Sequence, residues 1–208
     1  MSYGYVKAAT PNPHQPFSLT PAIAVSGPPS ASPFSPSSHN ARPARNVSEI
    51  IPRLYISDLA FAENPALLSA YRITHILSTM SENIFRPPPS LLAVQPVRLQ
   101  VRVEDLPFAE LAGHLPTTTA FIRDALASSP EARVLVHCAE GISRSVSAVA
   151  AYLMAAYNWS PTEALQYIKS KRIQANPNFG FVQQLHEYAR DSLGRAIANP
   201  VPHFSSPS

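Results

Sequence analysis

The sequence contains a single cysteine among 208 residues, and charged residues make up only 14% of the chain. With one thiol, the chain cannot form an intrachain disulfide or supply a cysteine-based zinc site. A lone thiol suits a reducing compartment, so we expect the protein in the cytoplasm, the nucleus or both. Long hydrophobic runs are also missing. The longest weakly polar stretch, Val146–Tyr157, is too short for a membrane span and is typical of a buried helix.

Acidic residues are absent from the N-terminal part of the chain. Residues 1–48 contain Lys7, Arg42 and Arg45 but no Asp or Glu, and they include nine prolines and nine serines. The rest of the chain therefore has equal numbers of basic and acidic residues, which argues against a nucleic-acid-binding platform. A segment so poor in large apolar residues cannot offset its ordering entropy. We predict a disordered tail over residues 1–46, a folded domain over 47–194 and a flexible tail over 195–208.

Between the predicted tails, strand-like stretches alternate with helical patterns. The strand-like stretches are Arg53–Ser57, Thr74–Ser78, Val94–Val103 and Arg133–His137. The helical stretches are Asn64–Tyr71, Thr117–Ala127, Ser143–Tyr157, a helix opened by the capping box of Ser160 and Glu163, and Gly180–Ile197. Because strands alternate with helices and only helices follow Ser143, the pattern predicts an α/β domain of three layers or an asymmetric variant of one.

The strand that ends at His137 runs directly into a loop that begins with Cys138 and has an arginine six positions later. Backbone N–H groups in such a strand–loop–helix can wrap around an oxyanion, and the helix N-terminus adds its positive dipole end. Gly141 permits the tight turn, and the fork of Arg144 can grip two phosphate oxygens. These features predict that Cys138 is a nucleophile aimed at a bound phosphate.

We also expect roles for His137 and for the two serines of this loop, Ser143 and Ser145. Ser145 can donate a hydrogen bond to the cysteine sulfur, and we expect His137 to fix the cysteine backbone rather than transfer protons. Ser143 and Ser145 could instead simply cap the following helix. A lone cysteine at a strand end is usually a small core residue, but the complete loop favours a functional role.

The motif His137-Cys138-x2-Gly141-x-Ser143-Arg144-Ser145 resembles the signature of the dual-specificity protein phosphatases. Five further patches agree in order, and they include Ile51–Tyr55, Ile73–Leu77, Glu104–Pro107, Ala151–Met154 and Pro177–Leu185. The resemblance implies a protein tyrosine phosphatase-like fold, with a central mixed sheet of about four to five strands flanked by helices. It also implies hydrolysis of phosphotyrosine and phosphoserine or phosphothreonine, as in compact, atypical single-domain members.

The resemblance also implies roles for individual residues. Cys138, Arg144, Asp105 and Ser145 would be catalytic, with Asp105 as the general acid and base. Glu104 and Asp124 are alternative acids. The positions that would bind phosphate are Ala139, Glu140, Gly141, Ile142 and Ser143, with His137 and Asn178 in support. No metal or other cofactor is expected. The expected partners are phosphoprotein substrates, with signalling kinases among the candidates, and neither nucleic acid nor a membrane span is expected.

Two alternatives remain open at this point. One is a catalytically weak pseudophosphatase that binds phosphoproteins. The other is a phosphatase that acts on a non-protein phosphate, such as a phosphoinositide. Against the second, Glu140 would repel a polyanionic head group, and the variable loop positions contain no lysine.

Overall fold

A computed structural model describes residues 46–194. The predicted tails lie outside the described residues, apart from Asn46, so the predicted domain boundaries stay predictions. No helix within residues 46–194 is long and apolar enough to cross a membrane.

Five strands form one sheet in the order β1-β2-β5-β3-β4. They are β1 (Val47–Ile51), β2 (Leu54–Ser57), β3 (His75–Thr79), β4 (Val97–Val101) and β5 (Val134–His137). Strand β1 pairs antiparallel with β2, whereas β2, β5, β3 and β4 run parallel to one another. The predicted mixed sheet of four to five strands flanked by helices is therefore confirmed.

Helices cover both faces of the sheet. They are α1 (Leu59–Ala62), α2 (Pro65–Ala70), α3 (Leu115–Ser128), α4 (Arg144–Tyr157), α5 (Pro161–Lys171) and α6 (Phe179–Asp191), with 3₁₀ turns at Pro89–Leu91 and Ala112–His114. Side chains alternate between the faces of a strand. On β5, Leu135 packs with Phe61 and Leu68 of α1 and α2, while Val134 and Val136 join the larger core that contains α3 and α4. Each such buried side chain contributes about 1.5–3 kcal/mol to folding.

The capping box that opens α5 forms as predicted. The backbone N–H of Glu163 donates to Ser160 Oγ (3.2 Å), and the backbone N–H of Ser160 donates to the Glu163 carboxylate (2.8 Å). Both partners lie within one helical turn, so the local sequence is sufficient to specify the contact.

The first hairpin was not predicted. The sequence indicated one opening strand, Arg53–Ser57, but Val47–Ile51 forms a separate edge strand joined to β2 by the two residues Pro52 and Arg53. Two-residue hairpins are normally marked by glycine or asparagine, because their turns need positive φ. Here Arg53 adopts φ 72°, and its guanidinium donates to the carbonyl oxygens of Leu126 (3.0 Å) and Ser129 (2.9 Å). These long-range hydrogen bonds stabilise a backbone conformation that the local sequence does not favour.

Two other elements near the sheet differ from the prediction. Helix α1 was not predicted, because four residues are too few to show helical periodicity; Asp58 caps it by accepting from the Phe61 N–H (2.9 Å). Strand β4 is shorter than the predicted Val94–Val103. Val94 is 44% exposed and precedes Pro96, which cannot donate to a strand ladder.

Helix α6 begins one residue before the predicted Gly180 and ends at Asp191 instead of Ile197. Asn178 caps it by accepting from the Phe181 N–H (3.0 Å). Gly194, with φ 64°, lies in the left-handed region that a continuing helix does not use. The rest of the predicted helix, residues 195–197, lies outside the described residues.

Candidate active site

The loop that begins at Cys138 lies at the carboxyl end of the central strand β5. Because β2 and β3 run parallel to β5, all three end at this edge of the sheet. Helix α4 begins directly after the loop, at Arg144. A cavity of about 240 Å³ opens here and is lined by Asp105, Cys138, Ala139, Glu140, Ile142, Ser143 and Arg144. The structure thus brings seven of the predicted site residues into one pocket.

The sulfur of Cys138 lies against two hydrogen-bonding groups of its own loop. The side chain is only 1% exposed. Its Sγ accepts from the Gly141 N–H (3.2 Å) and lies 3.3 Å from Ser145 Oγ. Both groups can donate to a sulfur that carries negative charge.

The backbone carbonyl groups of the loop accept hydrogen bonds from residues outside the loop. Four consecutive ones accept hydrogen bonds: Ala139 O from Leu59 N (3.0 Å), Glu140 O from Arg172 Nη2 (3.3 Å), Gly141 O from Arg172 Nε (2.7 Å) and Ile142 O from Asn176 N (2.9 Å). In a trans peptide unit, the N–H of the next residue is directed opposite to the carbonyl. Tying the carbonyls to the surrounding elements therefore directs the amides that follow them the other way. The Gly141 amide donates to Cys138 Sγ, and the remaining amides can form an anion-binding nest.

The guanidinium of Arg144 is buried, with only 6% of the residue exposed. Its Nη1 donates to Val103 O (3.2 Å), and the same nitrogen lies 3.8 Å from a Glu82 carboxylate oxygen. The Nε atom is buried without a hydrogen-bond partner, although Asp105 Oδ2 lies 3.5 Å away. This contact brings opposite charges close without forming a hydrogen bond. Arg144 thus retains a donor that a phosphate oxygen could satisfy.

Of the three candidate acids, Asp105 is the one that lines the described pocket. Its Oδ1 accepts from Ser143 Oγ (2.6 Å) and from Asn178 Nδ2 (2.8 Å), and its side chain is 34% exposed. Glu104 precedes it on the same loop and is exposed. Asp124 lies on α3 and pairs with Arg123 at the surface (2.8 Å). The geometry therefore supports Asp105 as the carboxyl group available to a bound substrate.

Ser143 occupies the N-cap position of α4, but its side chain makes no capping hydrogen bond. Its hydroxyl instead donates to Asp105 and accepts from the Asn178 N–H (3.2 Å). Asn178 both caps α6 and donates to Asp105. The alternative that Ser143 simply caps the helix with its side chain is therefore wrong. Ser143 and Asn178 link the Asp105 loop to residues 138–143, the loop expected to bind phosphate, which we call the phosphate loop.

His137 is fully buried behind the pocket. Its Nδ1 lies 3.3 Å from Cys138 O, and its Nε2 lies 2.7 Å from Ser78 Oγ. A carbonyl oxygen only accepts, so the ring proton is assigned to Nδ1. Burial lowers the pKa of His137 to about 4. The ring is therefore neutral near pH 7, which fits the predicted role of holding the cysteine backbone.

Three residues near the pocket were not identified from the sequence. Glu82 lies beside Arg144, Ser78 contacts His137, and Arg172 donates to the loop carbonyls. Arg172 follows Lys169 and Lys171 at the end of a helix, and such cations usually interact with the helix dipole in solvent. The local sequence gave no signal that distinguished it. Within residues 46–194, no group of three or more His, Cys, Asp or Glu side chains could hold a metal ion.

The chain is similar in sequence to known proteins. Residues 54–191 match the dual specificity phosphatase catalytic domain family. The tyrosine-protein phosphatase yvh1 of Schizosaccharomyces pombe is 39% identical over 143 residues, which cover 69% of this chain and 41% of the yeast protein. Dual specificity protein phosphatase 26 of Mus musculus is 38% identical over 141 residues, or 67% of this chain and 65% of the mouse protein.

A solved structure shows the same fold. The human tyrosine phosphatase-like serine/threonine/tyrosine-interacting protein superposes with a TM-score of 0.64 and 32% sequence identity, and the match covers 72% of this chain and 99% of that one. Our chain spans less than two thirds of the length of both the yeast and the mouse relative.

We predict that Gly180→Ala displaces the loop that carries Asp105. A Cβ atom at this position would overlap the carbonyl oxygen of Pro107 and would lie 2.5 Å from its carbonyl carbon. Relieving such an overlap costs about 1–3 kcal/mol and must move the backbone. We expect a lower melting temperature and at least about a tenfold loss of phenyl phosphate hydrolysis, because its basic leaving group depends on the acid and each 1.4 kcal/mol in the barrier changes the rate about tenfold.

Gly113→Ala is the matched control, because its Cβ would meet only the flexible Glu110 side chain, at 3.3 Å. Its activity should stay near that of the wild type. Normal activity in Gly180→Ala would show that the contact with Pro107 does not position Asp105.

Proposed function

Because the chain belongs to the dual specificity phosphatase catalytic domain family, we propose that it hydrolyses phosphotyrosine and phosphoserine or phosphothreonine in proteins through a phosphocysteine intermediate. One observation carries the proposal. One pocket contains the Cys138 sulfur, the Nε of Arg144, which has no hydrogen-bond partner, and the carboxyl group of Asp105. It also contains a loop whose carbonyls are bonded to the surrounding elements. A nucleophile, an anion-binding nest and an acid are the groups that transfer of a phosphoryl group to cysteine requires.

In the first step, the loop amides and Arg144 bind the phosphate oxygens, and the Cys138 thiolate attacks phosphorus. The S–P bond forms as the bond from phosphorus to the substrate oxygen breaks. The departing alkoxide or phenolate is a strong base, so protonated Asp105 supplies its proton. Arg144 and the amides stabilise the charge that is spread over the equatorial oxygens.

In the second step, water attacks the phosphocysteine. The Asp105 carboxylate takes a proton from this water, the new P–O bond forms and the S–P bond breaks. Inorganic phosphate and the thiolate are regenerated. Ser145, whose Oγ lies 3.3 Å from Sγ, donates to the departing sulfur.

A group of exposed apolar side chains, close in sequence to Asp105 and Asn178, favours a protein substrate. We call it the apolar rim, and it consists of Leu106, Phe108 and Phe179, which are 37%, 84% and 69% exposed. Leu106 and Phe108 flank Pro107, directly after Asp105, and Phe179 follows Asn178, which bonds Asp105. Exposed aromatic side chains around a polar site are suited to contact with a peptide. Glu140, which lines the pocket, disfavours polyanionic head groups.

We predict that Cys138→Ser abolishes turnover of p-nitrophenyl phosphate while orthovanadate still binds. A serine hydroxyl is a far weaker nucleophile, but the amides and Arg144 remain. Arg144→Ala should lower turnover about a hundredfold or more and should weaken vanadate binding. Arg144→Lys should recover little of either, because lysine is a point charge without the guanidinium fork.

Steady-state kinetics and calorimetry measure these two effects. Appreciable turnover by Cys138→Ser would exclude the phosphocysteine mechanism. A wild-type protein that binds vanadate without any turnover would instead indicate a pseudophosphatase.

We predict that Asp105→Asn slows hydrolysis in proportion to the basicity of the leaving group. A general acid contributes about a hundredfold to ten-thousandfold to such a step, and least for activated aryl phosphates. The comparison is between kcat for phenyl phosphate and for p-nitrophenyl phosphate. An equal loss with both substrates would argue for a structural role of Asp105, and Glu104→Gln would then be the next variant.

We predict that Phe108→Ala and Phe179→Ala lower kcat/KM for phosphopeptides roughly five- to tenfold, and leave p-nitrophenyl phosphate hydrolysis unchanged, because the small substrate does not reach the rim. Val97→Ala is the control. Val97 is also exposed, at 56%, but it pairs with His75 at the N-terminal ends of β4 and β3, whereas Cys138 follows the carboxyl end of β5. Its replacement should therefore change neither activity. Equal losses for the peptide and the small substrate in the rim variants would contradict a peptide-contacting role.

A further inference from the structure

Arg172 is one of the most deeply buried charged residues of the described chain, with only 2% of its surface exposed. It follows α5 and donates to several acceptors. Its Nε and Nη2 bond Gly141 O (2.7 Å) and Glu140 O (3.3 Å), and its Nη1 lies 3.4 Å from both Asn46 O and Ser48 Oγ. One side chain therefore connects the phosphate loop to the edge strand β1.

A buried guanidinium normally has a carboxylate partner, because an unpaired charge is costly to desolvate. Among residues 46–194, Arg172 forms no ion pair with a carboxylate, and its partners are carbonyl and hydroxyl oxygens. Burial lowers the pKa of Arg172, while the more distant charges of Asp58 and Cys138 act in the opposite direction. Arginine stays protonated in proteins. The side chain is therefore a fixed positive charge directly behind the phosphate loop.

The packing around Gly141 shows how closely Arg172 is fitted to the loop. A Cβ atom on Gly141 would lie 2.6 Å from Arg172 Nη2 and 2.5 Å from Ser57 O. Gly141 also adopts φ 70°, in the region that favours glycine. Without the guanidinium, the Glu140 and Gly141 carbonyls would lose their donors and could turn toward the pocket. A carbonyl oxygen that faces the pocket would repel a phosphate oxygen.

We propose that Arg172 is a positioning residue for the phosphate loop: it holds the Glu140 and Gly141 carbonyls away from the pocket, directs the following amides toward the Cys138 sulfur and the bound phosphate, and places a positive charge behind Cys138. The catalytic part of this inference rests on the proposed function. The anion-binding part does not, because it concerns the loop alone.

The first test compares Arg172→Met with Arg53→Met in the full-length chain. Arg53 is a matched control, because its Nη1 also donates to backbone carbonyls, those of Leu126, Ser129 and Ala132, but it lies at the opposite end of the strands. Calorimetry measures orthovanadate affinity, p-nitrophenyl phosphate kinetics measure kcat and KM, and thermal unfolding measures stability. A hydrogen-bonded charge contributes enough to change an equilibrium about tenfold to a hundredfold.

We expect Arg172→Met to weaken vanadate binding and to lower kcat/KM, each by about tenfold to a hundredfold. Arg53→Met should lose stability without either effect. Equal effects of the two variants on vanadate affinity, or wild-type vanadate affinity in folded Arg172→Met, would overturn the proposal.

If Arg172→Met does not fold, two milder variants test the positioning role. Arg172→Lys keeps the charge but cannot serve both carbonyls, and Ser48→Ala removes one anchor of the guanidinium. We expect Arg172→Lys to bind vanadate several-fold more weakly than the wild type, and Ser48→Ala to show a smaller loss in the same direction. Unchanged affinity in both folded variants would overturn the positioning role. Absence of turnover in the wild type would count against the proposed function alone, because the vanadate comparison does not depend on turnover.

Discussion

The site depends on one backbone constraint: consecutive carbonyl groups of the loop after Cys138 must be directed away from the pocket. A chain that turns tightly around an anion cannot satisfy its own carbonyls. The surrounding elements supply the donors instead, from the N-terminus of α1, from Arg172 at the end of α5 and from Asn176 ahead of α6. Helices at both faces of the sheet therefore contribute to the same short loop. This explains why the binding geometry needs a whole domain rather than the strand–loop–helix alone.

Electrostatics impose a second constraint. The loop has two buried guanidinium groups beside it, Arg144 and Arg172, and neither has a close, well-aligned carboxylate partner among residues 46–194. Arg144 has Asp105 at 3.5 Å and Glu82 at 3.8 Å, and its Nε remains unsatisfied. Desolvated positive charge is unfavourable in the free protein. A bound phosphate dianion would offset this cost, so the proposed function would exchange part of the stability of the free protein for affinity. Sites arranged for function commonly show such local compromise.

Short-range features of the fold and of the site could be predicted from the sequence. The capping box of Ser160 depends on contacts within one helical turn, and the strand–loop–helix around Cys138 is marked by a motif that is contiguous in sequence. The hairpin at Arg53 could not be predicted, because its positive φ is stabilised by carbonyls more than 70 residues away. Arg172 was missed for the same reason, since its contact with Gly141 spans 31 positions. An exposed helix-terminal cation and a buried loop anchor have the same local sequence, and only the tertiary fold distinguishes them.

Ser143 shows how a local rule can be broken in favour of the site. A serine at the N-cap usually satisfies an amide of the first turn with its hydroxyl. Here the hydroxyl bonds Asp105 and the Asn178 N–H instead, so α4 begins without a side-chain cap. The first amides of the helix then remain without that partner, and the positive end of the helix dipole is directed toward the pocket. A bound phosphate can take the place of the missing cap. The same serine that leaves these amides available also holds Asp105 beside them, so under the proposed function anion binding and placement of the acid would be coupled through one side chain.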